Sequence, residues 1–86
     1  MKPNVIVIGP TDNVAVALNE IKAGEPIVGI GRELRANTFI PPSHKVAIVE
    51  IPENSRVIKY GESIGLAKQR IKPGDWVHTH NIKGED

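Results

Sequence analysis

The stretch ALNEIKAGEPI, Ala17 to Ile27, is one of three built to a single plan, the others being AIVEIPENSRV, Ala47 to Val57, and AKQRIKPGDWV, Ala67 to Val77. Each places an Ala, then an Ile four residues on, then Gly or Asn three further on, then Ile or Val after another three. Ile40, Ser43 and Val46 form a shorter echo. Gly and Asn tolerate positive φ, and the residues before them (Lys-Ala, Pro-Glu, Lys-Pro) suit the approach to a tight turn. The unit reads as strand, turn, strand, with the flanking Ile and Val directed into a shared core. Lys22, Glu25, Glu53, Lys72 and Asp75 then fall at solvated turn tips.

The spacing between successive Ile anchors alternates between long and short, which excludes a solenoid and favours one pseudo-symmetric sheet system. Upstream, Val5 to Ile8 reads as the first strand and Pro10-Thr11-Asp12-Asn13 as the turn after it. From Asn13 to Ile21 both periodicities fit: Val14, Val16 and Leu18 alternate as in a strand, while Val14, Ala17, Leu18 and Ile21 keep helical spacing. Membership of Ala17 and Ile21 in the repeat, whose second copy is strand-like over Lys45 to Ile51, decides for strand. Gly61 to Gly65 reads as a turn into another strand. The fold class is therefore all-β, a single domain over residues 1–82 with a loose tail at 83–86.

Composition agrees. A chain of 86 residues encloses one small core, and its apolar content is Val, Ile, Leu and Ala with one Phe, one Trp and one Tyr. Eleven basic against ten acidic residues give a net charge of +1 with no basic stripe, which argues against nucleic acid as a partner. Without cysteine the chain has no disulfides, thiolate nucleophile or Cys-type zinc site, and it fits a reducing cytoplasm. The longest apolar run, Val5 to Ile8, is too short for a membrane span or a signal peptide. Gly24, Gly29 and Gly31 make no phosphate-binding loop, since no Lys-Ser or Lys-Thr follows and no strand-to-helix unit surrounds them.

Three histidines could carry chemistry. His78 and His80 are two apart in a run read as strand, so their imidazoles would leave the same face and could grip one metal or one substrate; a solvated strand face is the plainer reading. His44 and Lys45 follow the Pro41-Pro42-Ser43 turn, where a cationic pair could meet a carboxylate or simply be turn-edge polarity. Asn81 could bond a substrate hydroxyl or close the last strand, and Tyr60 and Trp76 read as core or interface aromatics. Three histidines cannot form a closed structural zinc site, so any metal site would be open or shared.

Five runs occur in order: DNVAVAL from Asp12, IKAGEPI from Ile21, SHKVAI from Ser43, KYGESIG from Lys59 and GDWVHTHN from Gly74. Together they resemble the N-terminal SAF domain of the altronate and galactarate dehydratases and the small subunit of sulfolactate sulfo-lyase. Ser43 stands where the family has glycine, and Gly31 to Phe39 is longer than its usual connection. The resemblance implies a SAF, or β-clip, fold beside a large catalytic subunit that supplies most of the active site for β-elimination from a sugar acid. It also implies His78, His80 and His44 as catalytic residues, Lys45 and Asn81 as substrate-binding residues, and a divalent metal, iron or manganese, shared with the large subunit through His78 and His80. The alternative is a non-catalytic SAF module for binding or assembly. Exposed Val and Ile on edge strands allow self-association into a homo-oligomer.

Overall fold

Four tight turns of one geometry organise the chain. In each, the fourth residue's N–H donates to the first residue's carbonyl: Glu25 to Lys22 at 3.0 Å, His44 to Pro41 at 3.2 Å, Ser55 to Pro52 at 3.0 Å and Asp75 to Lys72 at 3.0 Å. The third residue has positive φ, as a type II turn requires: 86° at Gly24, 68° at Ser43, 68° at Asn54 and 95° at Gly74. The echo at Ile40 is thus a complete fourth copy, and Ala36 is the Ala that opens it. The computed structural model, which describes residues 2–85, makes the reason for the pattern visible.

Each turn is locked by the Ala of another copy. The N–H groups of Gly24, Ser43, Asn54 and Gly74 donate to the carbonyls of Ala36, Ala17, Ala67 and Ala47, all at 2.8 Å. The same four alanines donate back to Glu25, His44, Ser55 and Asp75 at 2.8–2.9 Å. The first two copies therefore clasp one another, and so do the last two. Within each clasp two Ile residues exchange both backbone bonds, Ile21 with Ile40 and Ile51 with Ile71. All four alanines are at most 3% exposed, so a larger side chain at any of them would have to displace core neighbours, which accounts for a small residue in every copy.

The apolar anchors divide accordingly. Ala17, Ile21, Ile27, Ala36, Ile40 and Val46 enter one core cluster with Val5, Ala15 and Ile48. Ala47, Ile51, Val57, Ala67, Ile71 and Val77 form the other with Val14. The four clasp isoleucines are at most 1% exposed, and each contributes about 1.5–3 kcal/mol by burial.

The described strands are β1 (Val5–Ile6), β2 (Val14–Ala17), β3 (Lys45–Ala47), β4 (Arg56–Lys59), β5 (Glu62–Ala67), β6 (Trp76–Val77) and β7 (Ile82–Lys83). They form two antiparallel sheets, ordered β1-β2-β3-β6 and β4-β5-β7. The expected all-β class holds, and Asn13 to Ile21 contains a strand as read. Alternate residues of β2 and β3 face opposite clusters: Ala15, Ala17 and Val46 one, Val14 and Ala47 the other.

Asp12 and Asn13 bind the two sheets together. The Asp12 carboxylate accepts from the N–H groups of Gly9, Tyr60 and Gly61 at 2.8–3.1 Å. Asn13 donates to the Arg56 carbonyl at 2.9 Å and accepts from Ile58 N–H at 2.7 Å, across the register shift between Val57 and Ile58. Desolvation pushes the Asp12 carboxyl up, but the amides of Gly61, Gly9, Tyr60 and Ile8 outweigh it and hold the group below its ordinary value.

Three local readings shift. The first turn closes one residue earlier than expected, with Asp12 N–H on the Gly9 carbonyl, because the Asp12 side chain is committed to the other sheet. The turn before β5 is Tyr60-Gly61 alone, both at positive φ as a two-residue hairpin loop demands, so Glu62 to Gly65 already lies in strand. Lys83 and Glu85, read as a loose tail, are tied down: Lys83 pairs with Leu66 through β7, and Glu85 accepts from Ser63 and from Arg56. Glu25 and Asp75 also do more than solvate turn tips, since their carboxylates accept the Lys22 and Lys72 amides at 2.6 and 2.8 Å.

Candidate functional site

β3 and β6 pair antiparallel with Lys45 opposite Val77 and Val46 opposite Trp76. Continuing that register by one residue sets His44 against His78, so the second turn and the segment after the fourth bring together two histidines from the middle and the last part of the chain. Their ring centroids are 4.7 Å apart. Trp76 is the hub: its ring stacks on His78 at 5.4 Å and 7°, meets His80 at 5.0 Å, and meets His44 at 5.7 Å. Its indole N–H donates to His44 Nδ1 at 3.1 Å. A neutral imidazole that accepts at Nδ1 carries its proton at Nε2, so this bond fixes His44 as an Nε2–H donor.

The strand expected through His78 and His80 stops at Val77. Asn81 is the cause. Its side chain is 3% exposed; Oδ1 accepts from His78 N–H and Nδ2 donates to the Trp76 carbonyl, both at 2.9 Å, while its own N–H closes on the His78 carbonyl at 3.0 Å. The segment therefore curls into a turn. His80 is exposed on that turn, and it meets His78 through Trp76 rather than along one strand face. Both ends of the Asn81 amide are engaged inside the loop, which agrees with the structural one of its two sequence readings and lets Asn81 position His78 and Trp76.

Lys45 is half-buried on β3, and burial first, then the nearby Lys59 charge, lowers its pKa. It lines an open groove of about 390 Å³ with Lys59, His78, Thr79 and Lys83, and with Ile64 and Ile82 as apolar walls. A larger depression of about 650 Å³ lies at the long excursion from Pro26 to Arg35, and no histidine lines it. Among the described residues no three of His, Cys, Asp or Glu converge as metal ligands.

Sequence reasoning named His44, Lys45, His78 and His80; the structure gathers the three histidines around Trp76 and sets Lys45 in the groove that His78 also lines. It missed Trp76 as the hub, although the two-residue offset from His78 was a usable signal. Lys59 and Lys83 arrive from the other sheet, and nothing in their local sequence marks them.

An all-β module of two clasped halves, with an imidazole and indole cluster beside a lysine-lined groove, defines a β-clip domain with a polar face. The chain belongs to the altronate/galactarate dehydratase SAF domain family, whose model matches residues 3–85. It is 40% identical over 78 residues to an altronate dehydratase of Bacillus subtilis (strain 168), covering 91% of this chain and 16% of that protein. It is 43% identical over 74 residues to the L-threo-forming galactarate dehydratase of Escherichia coli (strain K12), covering 84% and 14%. The chain thus spans about a sixth of these dehydratases. By contrast, the alpha subunit of a (2R)-sulfolactate sulfo-lyase from Chromohalobacter salexigens is 36% identical over 90 residues, covering 96% of each chain.

Proposed function

We propose that this chain is the small subunit of a dehydratase-like lyase in the cytoplasm, presenting the His44, Lys45, His78 and His80 face to an active site furnished mainly by a large catalytic partner. The observation that carries this reading is the match along 96% of both chains to a lyase subunit, joined to the convergence of three histidines on Trp76.

The reaction is β-elimination of water from a sugar acid. A base removes the proton from the carbon beside the carboxylate, that electron pair becomes the carbon–carbon double bond, and the hydroxyl on the next carbon departs as water once protonated. The enol product then tautomerises to a 2-keto-3-deoxy acid. His44, held as a neutral Nε2–H donor by Trp76, is suited to hydrogen-bond the substrate oxygen on which negative charge develops, the proton for the departing hydroxyl coming from an acid of the partner. Lys45 holds an anionic oxygen of the substrate, and its unfavourable burial is relieved when it does so. His78 is stacked and oriented by Trp76 and stands beside His44. A divalent metal, iron or manganese, held mainly by the partner would supply Lewis-acid stabilisation of the developing negative charge; since His78 and His80 meet only through Trp76, this chain would give it one imidazole, His78 or His80, rather than both together.

The test is co-purification with a large dehydratase-type chain from the same host, followed by a metal-supplemented assay for 2-keto-3-deoxy acid. A complex that turns over, and loses turnover in His78→Ala and His80→Ala variants that remain folded, supports the reading. Absence of both partner and turnover would favour a non-catalytic binding module.

A further inference from the structure

β1, β2 and β3 carry a cross-strand row: Ile6 stands opposite Val16, and Val16 opposite Lys45. Residues directly paired across strands share a face of the sheet. Val5 and Val7 turn into the first core cluster, so Ile6 and Ile8 point away from it and are 42% and 59% exposed. Lys45, at the end of the row, also lines the groove with Lys59, Ile64 and Lys83 from the second sheet. The apolar row on one sheet therefore runs into the groove where the two sheets meet.

Ile8 reaches the second sheet by another route. Asp12 ties its loop to the Tyr60-Gly61 hairpin tip, and Gly9 comes so close that a β-carbon on it would stand 2.9 Å from the Gly61 nitrogen. Tyr60 is exposed there, with the Lys59 ammonium 4.9 Å over its ring. Among the described residues seven large apolar side chains are exposed, and four of them, Ile6, Ile8, Tyr60 and Ile64, thus gather along the line where the sheets meet. Exposed apolar residues scattered singly need no explanation, whereas a contiguous group marks a contact surface.

The charges beside it say what is contacted. Among the described residues the ion pairs are Arg56 with Glu85 and Arg70 with Glu50, and neither engages Lys45, Lys59 or Lys83. Glu62 stands opposite Lys59 in the hairpin without closing an ion pair on it. A second copy of this chain is a poor occupant, because a two-fold contact would set these cations against their own counterparts. We infer that this surface docks a segment of the large catalytic chain, apolar along its centre and carrying carboxylates where it meets Lys59 and Lys83. The inference rests on the lyase reading. His78 belongs to both the groove and the histidine cluster, so a partner seated here abuts the residues which that reading assigns to the reaction.

The test is titration of this chain into the large dehydratase-type chain of the same host, with calorimetry for affinity and stopped flow for association rate. Ile64→Glu and, separately, Ile6→Glu, each verified as folded by its urea midpoint, should weaken the complex by about tenfold or more. Phe39→Glu, at an exposed position in the first clasp, should stay within about twofold of wild type. Lys59→Glu/Lys83→Glu should slow association by about tenfold at low ionic strength and remove its dependence on salt. Affinity that ignores both isoleucine variants, or falls equally with Phe39→Glu, overturns the surface; wild-type association indifferent to salt overturns the acidic partner. A complex that turns over with its affinity unmoved by these variants leaves the lyase reading standing without this surface. A complex that depends on the surface and forms no 2-keto-3-deoxy acid does the reverse, and absence of any complex overturns both.

Discussion

Replacing Asn81 with Ala tests how the histidine face is held. The substitution strips an acceptor from His78 N–H and a donor from the Trp76 carbonyl, in a side chain only 3% exposed. Two lost bonds with partially buried partners left behind cost about 2–4 kcal/mol in total. Ordinary per-residue stabilities put a chain of 86 residues at about 4–13 kcal/mol, so a substantial fraction of stability is at stake. Urea unfolding followed by Trp76 fluorescence reads the loss. Because the segment from Trp76 to Asn81 would relax, the indole N–H resonance should also leave the position set by its bond to His44 Nδ1. Asn81→Asp keeps the acceptor but turns an oxygen towards the Trp76 carbonyl, and should fall no closer to wild type than Asn81→Ala at neutral pH. A cost below about 1 kcal/mol, within the range of a single net hydrogen bond, together with an unmoved indole resonance, would refute the clamp.

The turn geometry makes a paired prediction: Gly74→Ala sets a methyl group against the Arg35 carbonyl and Asn37 at φ 95° and should cost roughly 2–4 kcal/mol, while Gly24→Ala, with open space around it, should cost about 1–2 kcal/mol by thermal denaturation. The Asp12 carboxyl is held below its ordinary value of about 3.9, so its stabilising contribution is complete above that value and is lost as pH falls through the folded one. Acid titration of stability should therefore show a limb in the wild type that Asp12→Asn lacks, and identical limbs would refute the assignment. For Lys45 the sign is opposite: a lysine with a lowered folded value penalises folding at all pH below that value, and the penalty vanishes above the ordinary lysine range. Lys45→Met should accordingly raise the calorimetric midpoint at pH 7 and lose that advantage at strongly alkaline pH.

The repeat disclosed the fold because its demands are local. Positive φ at Gly24, Asn54 and Gly74 and burial of Ile21, Ile51 and Ile71 are written in residue type and spacing. Ser43 concealed the fourth turn, since serine does not advertise positive φ, and Ala36 was overlooked because its role is to receive a turn distant in the chain. Extending the echo at Ile40 back by four residues would have found it. The candidate site was half legible for the same reason: His44, Lys45, His78 and His80 belong to motifs, whereas Lys59 and Lys83 join them only through sheet packing. The strand expected through His80 failed because the buried Asn81, three residues on, captures the His78 N–H with its own side chain, which alternation cannot foresee.

The reciprocal clasps carry a consequence for how this chain can be re-engineered. Two halves of matching plan meet where Val46 gives way to Ala47, one residue serving each core. The histidine cluster lies where the second and fourth copies abut, a place that neither half possesses alone. A cut between Val46 and Ala47 would leave each clasp with both of its bonded copies, yet it would part His44 from Trp76 and His78.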